Sequence, residues 1–154
     1  MFNKVLIANR GAIAVRIIRT LKKMGVKSVA VYAEADADSL HVAHADESFS
    51  LGEGAASDTY LNQDKLFAIM RKAGVDAVHP GYGFLSENPA FVSACEQHGI
   101  AFIGPTIAQM QAFGLKHTAR DLARQNNVPL LPGTDLLTSL DDALKAADAI
   151  GYPV

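Results

Sequence analysis

The sequence predicts an α/β fold with a doubly wound parallel sheet, in which helices cover both faces. Short apolar runs alternate with helical segments from the amino terminus to residue 105. The first run, Val5–Ala8, is continuously apolar, which is typical of a strand covered on both sides. Gly25 and Gly74 stand where helices should end in a left-handed residue. Together these features indicate five strands joined by helices.

Each element up to residue 105 follows from its local pattern. The predicted strands are residues 5–8, 26–33, 47–51, 75–79 and 100–103, and the predicted helices are residues 12–24, 62–73 and 89–98. On the first helix, apolar side chains recur at spacings of four, four and three residues. We therefore expect one buried stripe, made of Ile13, Ile17, Leu21 and Met24.

Beyond Pro105 the pattern changes to helices and one extended segment. We expect helices at residues 107–113, 117–125 and 138–150, with a proline-bounded extended segment at residues 128–133. Thr138 or Ser139 can cap the last helix. An extended segment starting at Tyr152 and ending at Val154 would have no partner strand in this sequence. We therefore expect the chain to be the front portion of a longer protein.

Composition and charge exclude several classes of protein. The 154 residues carry 14 Lys and Arg against 16 Asp and Glu, so the broad basic field of a nucleic-acid-binding protein is missing. The single cysteine, Cys95, excludes an intramolecular disulfide and is most simply a core residue. The longest run without an acidic residue, lysine or arginine, residues 97–115, contains a histidine, a proline and three glutamines and cannot span a bilayer. We expect a cytoplasmic protein that binds neither membranes nor nucleic acid.

The segment His79–Pro89 is the strongest local motif. It follows a predicted strand, at the end of the sheet where open α/β folds bind ligands. Gly81 and Gly83 permit a sharp bend and a close backbone approach, and Ser86 or Asn88 can cap the next helix. The residues alone favour equally a ligand-binding loop and a bend whose aromatic side chains fill the core.

Lys116 and His117 fall in the first turn of a predicted helix, where a cation opposes the helix dipole. If a phosphate were bound by the helix amides and Lys116, the positive charge at this helix start would be stabilising instead of destabilising. A solvated lysine that tolerates a weak penalty explains the pattern equally well.

The first strand–helix turn, residues 8–13, contains only Gly11, whereas a dinucleotide fingerprint needs three glycines. Nicotinamide or flavin binding is therefore disfavoured. Glu34, Asp36 and Asp38 lack the glycine and distal glutamate of a calcium loop, and we interpret them as ordinary loop acids.

Three basic residues, Arg16, Arg19 and Lys23, lie opposite the apolar stripe of the first helix. They indicate a solvated face or, less simply, a surface for a partner that supplies carboxylates. His41 and His44 can share a helical face, but no third ligand follows at a metal-binding spacing, so no metal site is predicted.

Several motifs in order along the chain resemble the amino-terminal domain of biotin carboxylases, which belong to the ATP-grasp superfamily. The matching segments are Ile7–Gly11, Ala45–Glu47, Tyr60–Asn62, His79–Asn88, Phe102–Pro105, Val128–Pro129, Pro132–Gly133 and Gly151–Val154. Within the family, residues 114–120 look most similar to urea carboxylase, the biotin-dependent part of urea amidolyase. Acyl-CoA and pyruvate carboxylases tend to carry an acidic residue where this chain has Leu115.

The resemblance implies an ATP-dependent ligase that phosphorylates bicarbonate and carboxylates biotin on a separate carrier domain. It implies that Lys116 contacts ATP, and that Tyr82, Gly83 and Glu87 lie near the reaction centre and biotin. It also implies that Arg16 and Arg19 form a dimer interface, although Lys23 stands where a relative carries an acidic residue. Urea is the implied carboxyl acceptor, with acetyl-CoA, propionyl-CoA and pyruvate as alternatives.

The resemblance further divides the chain into a Rossmann-like domain at residues 1–105, a helical linker at residues 106–134 and the start of an ATP-grasp domain at residues 135–154. The family's phosphate lid and Mg²⁺ ligands would follow residue 154, so we expect these 154 residues alone to fold but to be inactive. Two other classes stay open from the residues: a nucleotide-binding oxidoreductase and a non-catalytic interaction or dimerisation module.

Overall fold

The computed structural model describes residues 1–153, and these divide into two compact units that separate between Met110 and Gln111. The predicted start of a further strand at Val154 lies outside the described residues. The boundaries expected at residues 105 and 134 remain predictions.

The first unit contains five strands and four α-helices, and a fifth helix crosses its boundary at Met110. In chain order they are β1 (Lys4–Ile7), α1 (Gly11–Met24), β2 (Lys27–Tyr32), α2 (Leu40–His44), β3 (Glu47–Ser50), α3 (Gln63–Ala73), β4 (Ala77–His79), α4 (Pro89–Gln97), β5 (Ala101–Phe102) and α5 (Ile107–Phe113). A single 3₁₀ turn at Glu34–Asp36 precedes α2. The doubly wound α/β prediction is confirmed.

All strand pairs are parallel, and the strand order is β3-β2-β1-β4-β5. The chain runs outward from β1 to β3 and then returns to the other side of β1. The order therefore reverses between β1 and β4, where Leu6 pairs with Val78. In open sheets of this kind, ligands bind in the crevice outside the carboxyl ends of the strands at this switch point.

The alternation of side chains along the strands builds two cores, one on each face of the sheet. Val5 and Ile7 of β1 pack with the buried side of α1, whereas Leu6 packs with α3 and α4 on the opposite face. Cys95 is fully buried among the second set, as expected of a core cysteine.

The helix ends follow the expected chemistry. Gly25 and Gly74 adopt the left-handed conformation (φ 71° and 63°) directly after α1 and α3. Asn88 caps α4 by accepting a hydrogen bond from the Phe91 amide, so Asn88 rather than Ser86 fills this role.

The structure differs from the expected local structure at three places. Met24 does not complete the buried stripe of α1, because it lies in the last turn and half of its surface is exposed (51%). The helix α2 was not predicted, since five residues are too few to establish a periodicity. The strand β4 begins at Ala77 rather than at residue 75.

The second unit contains α6 (Lys116–Gln125), α7 (Leu140–Ile150) and a connection between them that has no regular secondary structure, so the extended segment expected at residues 128–133 is not a strand. Ser139 caps α7 by accepting from the Asp142 amide. Neither helix buries a residue fully. No helix among the described residues combines the length and apolar character needed to cross a membrane.

Candidate functional site

The loop that follows β4 is bent by three residues with positive φ. These are Gly81 (φ 68°), Gly83 (φ 65°) and Phe84 (φ 37°). Positive φ is strained for a side chain such as that of Phe84, so neighbouring contacts must hold the loop in this conformation. The bend leaves Tyr82 at its tip with 68% of its surface exposed, while Leu85 is buried beneath it.

Asn9, from the turn after β1, connects that turn to the loop across the switch point. Its side-chain Nδ2 donates hydrogen bonds to the carbonyl oxygens of Pro80 and Tyr82, both at 2.8 Å. Its Oδ1 accepts from the Arg10 amide at 2.9 Å. Asn9 is buried, so its carboxamide is fully used within the protein.

His79, the last residue of β4, also contacts this loop. Its Nδ1 accepts a hydrogen bond from the Gly81 amide at 3.0 Å, which places the ring proton of neutral His79 on Nε2. Burial lowers the pKa of His79 below its ordinary value. The neutral ring that this contact requires is therefore the favoured form.

An ion-paired cluster lies beside the loop. The Arg10 guanidinium contacts both carboxylate oxygens of Asp36 at 2.7 and 2.6 Å, and the Tyr60 hydroxyl donates to the same carboxylate at 2.6 Å. The Tyr60 hydroxyl also accepts from the Ala33 amide at 3.0 Å. The Tyr60 ring stacks nearly parallel on Phe84, with ring centroids 5.3 Å apart. The cluster thus supports the strained residue of the loop.

Burial and these hydrogen bonds shift the pKa values of both Tyr60 and Asp36. Burial and the hydrogen bond to Asp36 raise the pKa of Tyr60 to about 12. Burial alone would raise the pKa of Asp36, but the hydrogen bonds from Tyr60 and Arg10 hold it below its ordinary value. The interpretation of Asp36 as an ordinary loop acid was therefore wrong: it is a structural ion-pair partner.

A cleft of about 450 Å³ opens at the switch point between the two turns. Its lining residues are Asn9, Arg10, Gly11, Ile13, Asp36, Tyr82, Gly83 and Phe84. The predicted residues Tyr82 and Gly83 thus line one cleft. Glu87 lies on the following turn, exposed, and is not among the lining residues.

Lys116 and His117 are the first two residues of α6 in the second unit. The helix begins one residue before the predicted start at residue 117. The N-cap residue Leu115 offers no side-chain hydrogen bond, and no acidic residue lies in the first turn. The Thr118 hydroxyl instead donates to the carbonyls of Ala112 and Leu115. Positive charge therefore lies at an uncapped helix start.

Arg16, Arg19 and Lys23 are exposed on α1, as expected of the face opposite the sheet. His41 is fully buried, and its Nε2 lies 3.3 Å from the Val31 carbonyl oxygen. Burial lowers the pKa of His41. Among residues 1–153, no group of three or more His, Cys, Asp or Glu side chains is arranged to hold a metal ion.

The strand order and the two loops at its switch point define a doubly wound α/β domain with a candidate ligand cleft. The model of the biotin carboxylase N-terminal domain family matches residues 1–110, and the chain belongs to this family.

Similarity to individual proteins extends beyond the matched domain. Biotin carboxylase of Halalkalibacterium halodurans is 50% identical over the whole chain, which spans 34% of that protein. The solved biotin carboxylase of Campylobacter jejuni has a TM-score of 0.90 at 44% identity, over 99% of this chain and 34% of its own. The solved urea amidolyase of K. lactis has a TM-score of 0.81 at 52% identity, over 85% of this chain and 8% of its own. The chain therefore spans about a third or less of these proteins.

Proposed function

We propose that this chain forms the amino-terminal part of a biotin carboxylase that uses ATP and bicarbonate to carboxylate biotin on a carrier domain. The observation that carries the proposal is the family match over residues 1–110, which continues as 50% identity to a biotin carboxylase across the whole chain. Membership of this family leaves no support for the nicotinamide-dependent alternative.

The proposed reaction has two steps. A bicarbonate oxygen attacks the γ-phosphorus of ATP, a new P–O bond forms and ADP leaves. The resulting carboxyphosphate breaks its C–O bond to give phosphate and carbon dioxide. N1′ of biotin then forms a bond to the carbon of carbon dioxide, and its proton passes to the released phosphate. Catalysis of phosphoryl transfer depends on positioning and on cations that neutralise the phosphate charge.

Within this chain, Lys116 is the proposed contact for an ATP phosphate. Two basic side chains in the first turn of α6 are unfavourable for the helix unless an anion binds there. Tyr82, Gly83 and Glu87 are the proposed residues near bicarbonate and biotin, supported by the position of the first two in the switch-point cleft.

Mg²⁺ would neutralise the phosphate charge in this reaction. The described residues do not fit a Mg²⁺ site, since they hold no cluster of carboxylates in a metal-binding arrangement. We therefore place its ligands, like the biotin-bearing lysine, outside these 154 residues. The same proposal assigns residues 1–105 to a Rossmann-like domain, 106–134 to a linker and 135–154 to the start of an ATP-grasp domain, in a cytoplasmic enzyme.

Urea is the proposed final acceptor of the carboxyl group. The 52% identity to the K. lactis urea amidolyase and the presence of Leu115 before Lys116 support this assignment. Acetyl-CoA, propionyl-CoA and pyruvate are the competing acceptors, because 50% identity to a bacterial biotin carboxylase is nearly as high.

A homodimer formed through α1 completes the proposal. Arg16 and Arg19 are exposed on one side of this helix and are free to meet carboxylates of a second copy. Replacing both with glutamate should halve the mass of the full-length gene product in sedimentation. A mass that the two substitutions leave unchanged removes this interface from the proposal. If wild type is itself monomeric, the alternative of a dimerisation module fails as well.

The test of function uses the full-length gene product that contains these 154 residues. With ATP, labelled bicarbonate and each acceptor in turn, we expect biotin-dependent incorporation of label that is highest with urea. If label reaches biotin but is passed only to an acyl-CoA or to pyruvate, the biotin carboxylase assignment stands and urea is replaced as the acceptor. Absence of any label on biotin contradicts the proposal.

A further inference from the structure

The amide nitrogen Nδ2 of Asn9 spends both of its protons on the loop after β4. We propose that Asn9 is a positioning residue for the carboxylation reaction, because it fixes the backbone on both sides of Gly81 and thereby places Tyr82 and Gly83 in the cleft. This inference rests on the proposed function, since it assumes that the loop faces the reacting groups.

The hydrogen-bond geometry is specific to asparagine. Both Nδ2 bonds run to backbone carbonyls two residues apart, on Pro80 and Tyr82, at the same distance of 2.8 Å. An aspartate of the same shape has no amide protons to donate, and a glutamine is one methylene too long. With 4% of its surface exposed, Asn9 leaves little room for water to replace these bonds.

The loop needs such a clamp because its conformation is strained. Gly81, Gly83 and Phe84 all have positive φ within four residues. Phe84 is the residue for which this conformation is unfavourable. The bonds from Asn9 fix the chain at Pro80 and at Tyr82, which lies two residues before Phe84. The stacking of Tyr60 on Phe84, with ring centroids 5.3 Å apart, holds Phe84 itself.

The sequence of the loop is adapted to this contact. A Cβ on Gly81 would lie 2.7 Å from Nδ2 of Asn9 and 3.0 Å from its Cγ. The loop backbone thus approaches the asparagine more closely than any other residue type at position 81 would allow. At Gly83, by contrast, a Cβ would meet nothing within 4 Å.

The expected kinetic effect follows from where Asn9 acts. Asn9 contacts the carbonyl of Tyr82, and Lys116, the proposed ATP contact, belongs to the other compact unit. Loss of the clamp should therefore reduce turnover and leave the Michaelis constant for ATP nearly unchanged. If a variant were only destabilised, its activity would fall in proportion to the fraction of molecules that are unfolded.

The experiment compares Asn9→Asp and Asn9→Ala with Asn62→Ala in the full-length gene product. Asn62 is a matched control, since its side chain also accepts one backbone hydrogen bond, from Lys65, at the start of α3. We expect both Asn9 variants to lower kcat for biotin carboxylation at least tenfold, with the KM for ATP within twofold of wild type. We expect Asn62→Ala to keep kcat within twofold.

Hydrogen exchange of the peptide covering residues 80–88 provides a readout that is independent of activity. We expect at least tenfold faster exchange in Asn9→Asp and no change in Asn62→Ala. Unchanged exchange overturns the proposal whatever the kinetics show. Faster exchange together with a wild-type kcat also overturns it, because the loop would then be held without consequence for the reaction.

Failure of the proposed function gives a different pattern. If wild type does not carboxylate biotin, the carboxylase assignment fails, and the reaction role of Asn9 fails with it, while exchange still decides whether Asn9 holds the loop. If wild type is active and Tyr82→Ala is impaired but the Asn9 variants are not, only the Asn9 inference fails.

Discussion

Gly81 and Asn9 meet so closely that a Cβ on the glycine would lie 2.7 Å from the asparagine Nδ2. The two residues are 72 positions apart and follow neighbouring strands, β1 and β4, at the point where the strand order reverses. Parallel pairing of these strands brings their carboxyl ends together, so this contact is a direct consequence of the topology. It joins the two turns that line the candidate cleft.

Gly81→Ala should destabilise the chain more than Gly83→Ala. Both substitutions place alanine at a positive φ, which costs about 1–2 kcal/mol. Only the Gly81 variant also collides with Asn9, and overpacking of this kind adds about 1–3 kcal/mol. Chemical denaturation of the 154-residue chain measures the difference. Equal free energies of unfolding for the two variants would show that the loop yields without cost.

Tyr60→Phe should destabilise the chain by about 1–3 kcal/mol, because the Ala33 amide and the Asp36 carboxylate both lose the hydroxyl as a partner. Tyr152→Phe is the control, since Tyr152 is largely exposed. Chemical denaturation at neutral pH compares the two. A Tyr60 variant as stable as the control would mean that water replaces the hydroxyl.

The same hydroxyl predicts an alkaline loss of stability. The pKa of Tyr60 is raised to about 12 from its ordinary value of 10, so the folded state favours the protonated phenol. This contribution is complete below pH 10 and is lost as the pH rises through about 12. The difference in stability between wild type and Tyr60→Phe should shrink over that window.

Asp46→Asn should destabilise the chain by about 1 kcal/mol at neutral pH, after allowance for solvent screening of this partly exposed group. The hydrogen bond from Lys27 and those from the backbone and hydroxyl of Ser28 lower the pKa of Asp46 to about 2. The folded state thus favours the carboxylate, and this stability is present above about pH 4 and lost as the pH falls through about 2.

Acid titration followed by circular dichroism tests this expectation, with Asp38→Asn as the exposed control. The gap between wild type and Asp46→Asn should close as the pH falls from 4 to 2. A gap that stays constant over this range would show that the charge of Asp46 contributes nothing.

Lys116→Gln should raise the KM for ATP at least tenfold in the full-length gene product, because a phosphate would lose its cationic partner at the start of α6. Lys145→Gln, on the exposed side of α7, should leave it unchanged. A KM for ATP that is the same in both variants removes the phosphate contact from the account.

The fold was largely predictable because its signals are local. The apolar run at Val5–Ala8 and the glycines that follow α1 and α3 each act within a few residues of their own position. The helix α2 gave no comparable signal, since a five-residue helix with Leu40 exposed has no apolar periodicity.

The support of the candidate site was less predictable, because it depends on contacts that are distant in sequence. Asn9 was part of a recognised motif, but the carbonyls that it binds lie 71 and 73 residues away. Asp36 likewise showed no local sign of its pairing with Arg10 and Tyr60, which lie 26 and 24 residues away. Gly81 and Gly83 marked the bend directly through their spacing, whereas the expectation that Tyr82 and Gly83 lie near a reaction centre came from the resemblance to biotin carboxylases.

The most direct test of the account follows the oxygen atoms of bicarbonate. In the proposed reaction, the bicarbonate oxygen that attacks ATP stays with phosphorus when carboxyphosphate breaks down. The full-length gene product, supplied with ATP, biotin and ¹⁸O-labelled bicarbonate, should therefore release phosphate in which one oxygen per molecule comes from bicarbonate. Phosphate released without that label would contradict the carboxyphosphate route and, with it, the assignment of this chain to an active biotin carboxylase.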